Sequence, residues 1–153
     1  MTDDDARFAD GADRPLRLRA LDADDLQVIS TFCQDAVLTA SDMKLARRAR
    51  RFALLLNRFR WERGGTTPER VRAMLVIEDV LRVQVAGAQP APDTVLSLLS
   101  ISWEPGADGT GRLILTLAGD GAVALSVEAL DVVLRDVTLP YAAPSGQAPH
   151  HPA

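Results

Sequence analysis

The feature that most constrains the fold is the alternation of apolar and polar residues along much of the chain. In residues 70–77, RVRAMLVI, every second side chain is apolar, so an extended strand would carry them on one face. Residues 111–127, GRLILTLAGDGAVALSV, contain two such runs around GDG, a sequence typical of a hairpin turn. The pattern predicts antiparallel strands with one buried face, on which the paired residues are Leu113, Leu115 and Leu117 opposite Val123, Leu125 and Val127.

Further strands are predicted on both sides of these runs. Residues 15–21 (PLRLRAL), 81–85 (LRVQV) and 99–104 (LSISWE) alternate in the same way. Segments rich in glycine and proline, 64–69, 86–94 and 104–111, are typical of loops between them. The side chains predicted to share the apolar faces of these strands are Leu16, Leu18, Ala20, Leu81, Val83, Val85, Leu99, Ile101 and Trp103.

Residues 47–64, RRARRFALLLNRFRWERG, fit two structures. A helical stripe would contain Leu45, Ala49, Phe52, Leu56 and Phe59, whereas residues 58–62 alternate as a strand does. We favour a strand over 51–62 because the neighbouring segments are predicted strands. Residues 36–46 would then form the preceding strand, and the arginines of 47–51 would lie at its turn. A helix within 44–62 remains the alternative.

Two other segments have helical spacing. In residues 23–35, Leu26, Ile29 and Cys33 would form one apolar stripe, with Asp22 as the N-cap. Residues 128–137, EALDVVLRDV, have the spacing i, i+3, i+4, i+7 and predict a C-terminal helix with the stripe Leu130, Val133, Leu134 and Val137.

The predicted fold class is α+β, mostly antiparallel β. It is a six- to seven-stranded curled sheet or barrel with an early helix and a C-terminal helix, which resembles a pleckstrin-homology-like barrel. A β-sandwich with two flanking helices is the alternative.

The length of 153 residues and the composition of the two ends predict one domain between two tails. Residues 1–14 are acidic and small, and residues 140–153 contain four prolines, so both segments are expected to be disordered. Residues 15–139 would form the single globular domain. The sequence does not open like a signal peptide, has no apolar run near the ~18 residues of a membrane helix and contains one cysteine. We therefore expect a cytoplasmic protein without a membrane association.

The charge is distributed unevenly. Residues 44–72 carry ten basic and two acidic side chains, a net charge of +8, which leaves −12 for the rest of a chain whose total is −4. Such an excess indicates either a surface for an anionic partner or a face whose arginines pair with Glu62, Glu69, Glu78 or Glu104 on neighbouring strands. The candidate binding residues are Arg47, Arg48, Arg50, Arg51, Arg58 and Arg60. In a nucleic-acid interface, Phe59 or Trp61 would stack on bases; on the strand interpretation these two aromatic residues face the core, opposite Arg58 and Arg60.

Groups suited to catalysis are few. His150 and His151 lie in the proline-rich tail, and Cys33 lies on the apolar stripe of its predicted helix, where a packing thiol is expected. The Glu78–Asp79 pair is expected to form a turn or bulge, and Asp131 and Asp136 to lie on the exposed face of the last helix. No catalytic residue, metal ligand or cofactor is predicted, and the chain is expected not to be an enzyme.

A family resemblance rests on FALLLNRFRWE (52–62), preceded by AVLTASDMKL and followed by RVRAMLVIEDVLRVQ. With these motifs the chain resembles an uncharacterised alphaproteobacterial family catalogued as a domain of unknown function, over about residues 15–138. The resemblance implies a bacterial, cytoplasmic, single-domain protein and no mechanism.

The function expected from these features is a small non-enzymatic module that binds a protein or peptide. Binding would use an exposed sheet edge that accepts another strand, or a sheet face that forms a homodimer. The alternative is a nucleic-acid-binding protein that uses the basic segment 44–72. A small-molecule enzyme would need a polar pocket assembled from distant strands.

Overall fold

The structure, a computed structural model, describes residues 15–60, 69–87 and 90–139, and the backbone of residues 141–142. One α-helix, α1 (Ala23–Phe32), lies between the first two strands of the described chain. The eleven strands of the described residues are β1 (Arg17–Ala20), β2 (Ala36–Thr39), β3 (Met43–Ala46), β4 (Arg51–Phe59), β5 (Glu69–Ile77), β6 (Val80–Ala86), β7 (Val95–Pro105), β8 (Gly111–Leu117), β9 (Gly121–Val127), β10 (Val132–Asp136) and β11 (Tyr141–Ala142).

All the strands belong to one sheet. Nine of them follow the order β1-β10-β5-β4-β2-β7-β8-β9-β6, while β3 pairs with β4 and β11 pairs with β5. Every one of these pairs is antiparallel. Over the described residues the sheet does not close on itself, so it has open strand edges.

The alternation of the sequence becomes one buried face. Leu54 and Leu56 of β4, Leu75 of β5, and Leu115 and Leu125 of the β8–β9 hairpin are all buried in a single apolar cluster. Burial of such side chains contributes about 1.5–3 kcal/mol each, and this is the main favourable term of the fold.

The helix α1 closes part of this face. Leu26 and Ile29 point into the core, and the Asp22 carboxylate accepts a hydrogen bond from the Asp25 N–H at 2.8 Å, which caps the first turn. The Ser30 hydroxyl oxygen accepts a hydrogen bond from the Ile101 N–H at 2.9 Å and so ties α1 to β7.

Several predictions from the pattern are confirmed. The strand interpretation of the arginine-rich segment is correct over Arg51–Phe59, and the turn that precedes it spans residues 47–50. The hairpin around GDG forms, and Leu113 pairs with Leu125 as expected. The Glu78–Asp79 pair forms the bend between β5 and β6, where Asp79 has a φ of 57°.

The predicted C-terminal helix is wrong. Residues Val132–Asp136 form β10, which lies between β1 and β5. The buried side chains are Leu130, Val132 and Leu134, at a spacing of two, whereas Val137 of the predicted helical stripe is exposed. The strands on either side, β1 and β5, provide backbone hydrogen-bond partners for this segment. This pairing outweighs the helical spacing of a short segment, because helix propensity alone is a weak preference.

The predicted six- to seven-stranded barrel of pleckstrin-homology type is also wrong, because the described sheet has more strands and is open. Two bulges overturn a further part of the predicted alternation. Irregular pairing between Val80 and Arg82 and between Leu98 and Ser100 shifts the alternation by one residue. Leu81 and Leu99, predicted to face the core, are therefore exposed, while Val80 and Leu98 are buried.

The predicted tails lie largely outside the described residues, so their disorder stays a prediction. Of the C-terminal segment, only the backbone pairing of β11 with β5 is described. Within the part of the chain that the structure describes, no helix has both the length and the apolar character needed to cross a membrane.

Candidate functional site

The open side of the sheet contains a cavity of about 690 Å³ between β3 and β6. Among the described residues, β3 pairs only with β4 and β6 pairs only with β9, so each strand has one edge without a neighbouring strand. We call the space between them the β3–β6 cleft. Its main lining side chains are Met43, Leu45, Arg47, Phe52, Val83, Val85, Leu96, Leu117, Asp120 and Val123.

The wall formed by β6 is a core-facing surface that the described chain covers only in part: Val83 is half-buried and Val85 is exposed. Val83 pairs with Leu125 and Val85 with Val123, and both partners are buried. Directly paired residues point to the same side of a sheet, so Val83 and Val85 face the interior. Val85 is nevertheless 44% exposed. The exposure arises because the sheet ends at this strand.

The opposite wall, formed by β3, has the same property. Met43 pairs with Leu54 and Leu45 pairs with Phe52, and both partners on β4 are buried. Met43 and Leu45 therefore lie on the core-facing side, but they are only half buried. The two walls meet buried Leu117 and Val123, so the cleft opens directly onto the core.

The two ends of the cleft differ. At one end the Val80 N–H donates a hydrogen bond of 2.8 Å to the Arg50 carbonyl, which joins the start of β6 to the turn after β3. At the other end lie the β8–β9 turn, including Gly119 and Asp120, and the segment that begins at Pro90. The cleft is thus bounded at one end by the hydrogen bond between Val80 and Arg50 and at the other by Gly87, Pro90 and Pro92, where the Pro92 carbonyl accepts the Ser41 N–H at 2.9 Å.

Few charged groups line the cleft. Arg47 belongs to the turn after β3 and Asp120 to the β8–β9 turn at the other end of the cleft, and both are exposed. Within the described residues, Arg47 makes no ion pair with a carboxylate. The cleft therefore has an apolar middle with a cation, Arg47, at one end and an anion, Asp120, at the other.

The six candidate arginines do not form one surface. Arg58 is fully buried, and its guanidinium donates from Nε to Asp136 Oδ1 at 2.9 Å and from Nη2 to Oδ2 at 3.0 Å. The Asp136 carboxylate also accepts the Leu16 N–H at 2.8 Å. The prediction that Arg58 lies on a solvent-exposed face is wrong. The reason is register: a spacing of two from buried Leu56 leads to Arg58.

Arg60 is buried too, and its Nη1 donates to Glu69 Oε1 at 2.9 Å. Its predicted place on the solvent-exposed face is likewise wrong, although Glu69 was among its predicted partners. Phe59 is buried and lies 5.8 Å beneath the Arg70 guanidinium, so within the described residues it is not presented for stacking on a base. Trp61 and Glu62, the other predicted contributors, lie outside the described residues.

The remaining four arginines are at the surface. Arg50 pairs with Glu128 at 3.0 Å and Arg51 with Glu78 at 2.9 Å. Arg47 and Arg48 are exposed in the turn, and within the described chain neither forms an ion pair. Of the six candidates, Arg47 alone lines the cleft.

The other candidate groups are structural. Cys33 is buried as expected, and desolvation raises the pKa of its thiol to about 12, which suppresses the reactive thiolate. Asp131 and Asp136, predicted to lie on an exposed helix face, instead pair with Arg19 and Arg58. Within the described residues, no group of three or more metal-ligating side chains lies close enough together to hold an ion.

Sequence reasoning missed the cleft. The alternation identified Val83 and Val85 as core-facing, which is correct, but it did not indicate that they lack a covering strand. Which edges stay unpaired depends on the order of strands in space, and no local pattern carries that order.

A family model described as "Protein of unknown function (DUF2948)" matches residues 16–151. Comparison with curated proteins and with solved structures finds no match.

Proposed function

Since the chain belongs to the DUF2948 family, whose description names no activity, we propose a function from the geometry: the protein is a peptide-binding module. The β3–β6 cleft accepts an extended segment of a partner polypeptide as an additional strand. The observation that carries this proposal is the apolar, core-facing cavity between two strand edges that have no neighbour in the described chain.

Strand edges supply the binding energy in this mode. Each exposed edge presents unpaired N–H and C=O groups, which pair with an extended backbone irrespective of its sequence. β6 offers seven residues and β3 offers four. A peptide bound between β3 and β6 would pair with both strand edges and so add one strand to the sheet.

The cavity supplies the specificity. Successive side chains of a strand point to opposite faces, so every second side chain of the bound segment would enter the cavity among Met43, Leu45, Val83 and Val85. The volume of about 690 Å³ accommodates two or three large apolar side chains. The favoured partner therefore alternates apolar and polar residues over about five positions.

Nucleic-acid binding has less support from the same residues. Arg58 and Arg60 are buried in ion pairs, and Arg50 and Arg51 already contact carboxylates. Phosphate binding requires cations that are free to replace counterions. We expect weak binding of mixed-sequence DNA and RNA in fluorescence anisotropy at 50 mM salt, and tight binding that weakens steeply by 200 mM would favour the alternative.

The test compares two lysine substitutions on the same strand. Val85→Lys places a charge on the cleft wall, and Leu81→Lys places it on the exposed bulge outside the cleft, where Leu81 is 58% exposed. Both sites are accessible, so both variants should unfold within about 2 °C of the parent protein. Binding is measured on an array of heptapeptides that alternate Val, Ile, Leu or Phe with Thr, Ser, Gln or Lys, and the best binders are titrated by anisotropy.

We expect Val85→Lys to weaken the selected peptides at least tenfold and Leu81→Lys to leave them nearly unchanged. An array without binders would refute the peptide-binding function. Equal effects of the two variants would place binding elsewhere on the surface.

A further inference from the structure

We propose that the outer face of the sheet, on the side opposite the core, binds an acidic segment of a partner polypeptide through Arg17, Arg72 and Arg135. These arginines lie on β1, β5 and β10, whereas the β3–β6 cleft opens onto the core. The inference is therefore independent of the function proposed above. We call the three arginines, together with Met74 and Leu55 beside them, the arginine face.

Strand pairing places the three arginines on one side of the sheet. Arg17 pairs directly with Arg135, and Arg135 pairs with Met74. Arg72 precedes Met74 by two residues in β5, so both side chains point to the same side. Leu134, the neighbour of Arg135 in β10, is buried, which identifies the side of the arginines as the outer one. Directly paired residues lie about 5 Å apart and diagonal neighbours about 7–8 Å, so one ligand can contact all three guanidinium groups.

The positive charges of this face are not neutralised. Arg17, Arg72 and Arg135 are exposed, and within the described residues none of them forms an ion pair. Arg19, in the same strand as Arg17, does pair, with Asp131 at 3.0 Å. The chain has 21 acidic residues, so carboxylates are not scarce. Like charges directly opposite each other on neighbouring strands are destabilising, and a bound carboxylate would relieve the repulsion between Arg17 and Arg135.

A cavity of about 170 Å³ beside Arg72 gives the face an apolar component. It lies next to the single position at which β2 and β4 pair, Val37 with Asn57. Leu55 and Val95 also line it, and Val95 is 66% exposed. A cavity of this size accommodates one apolar side chain of a bound segment.

The charges around the cavity determine which part of the partner enters it. Asp42 lines the cavity together with Arg72, and its carboxylate accepts hydrogen bonds from the Thr39 N–H at 3.1 Å and the Thr39 hydroxyl at 2.8 Å. A second carboxylate inside the cavity would be repelled by Asp42. The bound segment therefore places an uncharged apolar side chain in the cavity and its carboxylates on the arginines, where a guanidinium donates two parallel hydrogen bonds.

A polypeptide fits this face better than a nucleic acid or a second copy of the chain. Stacking of bases needs an exposed aromatic ring, and Phe59, an aromatic residue on the outer side of β4, lies beneath Arg70 and is 7% exposed. Two copies that met through this face would bring like charges together. An acidic segment with one apolar residue satisfies both the arginines and the cavity.

The experiment uses an array of nonapeptides in which Asp or Glu residues flank a central Leu, Ile, Met or Phe. The reference set replaces every Asp and Glu by Asn and Gln. The best binders are titrated by fluorescence anisotropy against the full chain, Arg135→Gln and the matched control Arg82→Gln. Arg82 is also an exposed strand residue without an ion pair in the described chain, but it lies on β6, at the other end of the strand order.

We expect Arg135→Gln to weaken the acidic peptides about threefold and the triple variant Arg17→Gln, Arg72→Gln, Arg135→Gln to weaken them at least about tenfold. Arg82→Gln should leave binding nearly unchanged, and the affinity should fall as salt is added. An array without acidic binders would overturn the proposal. So would equal binding of the acidic and the reference peptides, or equal effects of Arg82→Gln and Arg135→Gln.

A thermal measurement separates a binding role from a structural one. Arg135→Gln removes a like-charge contact, so its melting temperature should not fall below that of the parent protein. A clear decrease would show that Arg135 supports the fold and would count against a free binding surface.

The cleft variant keeps this proposal distinct from the peptide-binding function of the cleft. Val85→Lys should leave the acidic peptides unaffected, and the triple arginine variant should leave the cleft-binding peptides unaffected. Loss of the acidic peptides in Val85→Lys would place them in the cleft and overturn the assignment to the arginine face.

Other occupants are tested with the same triple variant. The probes are mixed-sequence single-stranded DNA and phosphatidylcholine vesicles with and without phosphatidylserine. If either bound more tightly than every acidic peptide and lost binding in the triple variant, the occupant would not be a polypeptide. Sedimentation velocity tests a second copy: the full chain should show no self-association through this face, and a dimer that the triple variant dissociates would overturn the assignment.

Discussion

The buried pair between Arg58 and Asp136 leads to a quantitative prediction for Asp136→Ala. The carboxylate accepts two hydrogen bonds from Arg58, at 2.9 and 3.0 Å, and one from the Leu16 N–H, at 2.8 Å. The side chains of Arg58 and Asp136 are 0% and 3% exposed. Without the carboxylate, the buried guanidinium loses the acceptor of two of its hydrogen bonds and an opposite charge at 2.9 Å. Removing one partner of such a pair costs about 3–5 kcal/mol in the free energy of unfolding.

Asp131→Ala is the matched control. Asp131 also accepts two hydrogen bonds from an arginine, Arg19, each of 3.0 Å, but the Arg19 side chain is 60% exposed. Water replaces the lost partner at that position, so the expected cost is much smaller than for Asp136→Ala. Both variants change one aspartate at or beside β10, and both break a bidentate contact with β4 or β1.

Urea unfolding at pH 7, followed by tryptophan fluorescence, measures both free energies. A second comparison uses Arg58→Met in the Asp136→Ala background. This double variant removes the buried charge that has lost the Asp136 carboxylate and should regain at least about 1 kcal/mol of the loss. If Asp136→Ala costs no more than Asp131→Ala, or if Arg58→Met brings no recovery, then desolvation of the arginine does not determine the stability of this region.

Three further predictions concern packing, backbone conformation and pH. Gly111→Ala should lower the free energy of unfolding by about 1–3 kcal/mol, because a Cβ there would lie 2.4 Å from Trp103; Gly121→Ala, whose nearest contact is 3.7 Å, should change it little in the same urea titration. Asp79→Val should cost about 1–2 kcal/mol because a β-branched residue is strained at a φ of 57°, whereas Asp79→Gly should not lower the melting temperature. Burial raises the pKa of the Cys33 thiol to about 12, so the stability that its buried neutral form contributes is fully present below the unfolded thiol's pKa, near 9. This contribution is lost as the pH rises from 9 towards 12. Alkylation at pH 8 should occur only through unfolding, and rapid alkylation of the folded protein would contradict the burial of Cys33.

The inward orientation of the two buried arginines follows from the alternation along β4. Phe52, Leu54 and Leu56 face the core, and the same spacing of two leads to Arg58 and then Arg60. The pattern of β4 therefore indicated that these arginines point inward. The identity of the partner did not follow from the pattern, because Asp136 lies 78 residues further along the chain and on another strand.

Local order in this protein was determined by the sequence itself. The alternation in 70–77 and 111–127, the N-cap at Asp22 and the turn residues between the strands each act over a few residues, and the structure has the corresponding strands, helix cap and hairpin. Short-range backbone geometry and side-chain periodicity suffice for such features.

Only the tertiary structure decided the order of the strands, the open edge and the cleft. Residues 132–136 became a strand because β1 and β5 pair with them, although their own spacing also fits a helix. Val83 and Val85 line a cavity because the sheet ends at β6 and no further described strand pairs with it. Strand pairing joins residues far apart in the sequence, and its free energy depends on which partners the whole chain makes available, so the local pattern does not specify it.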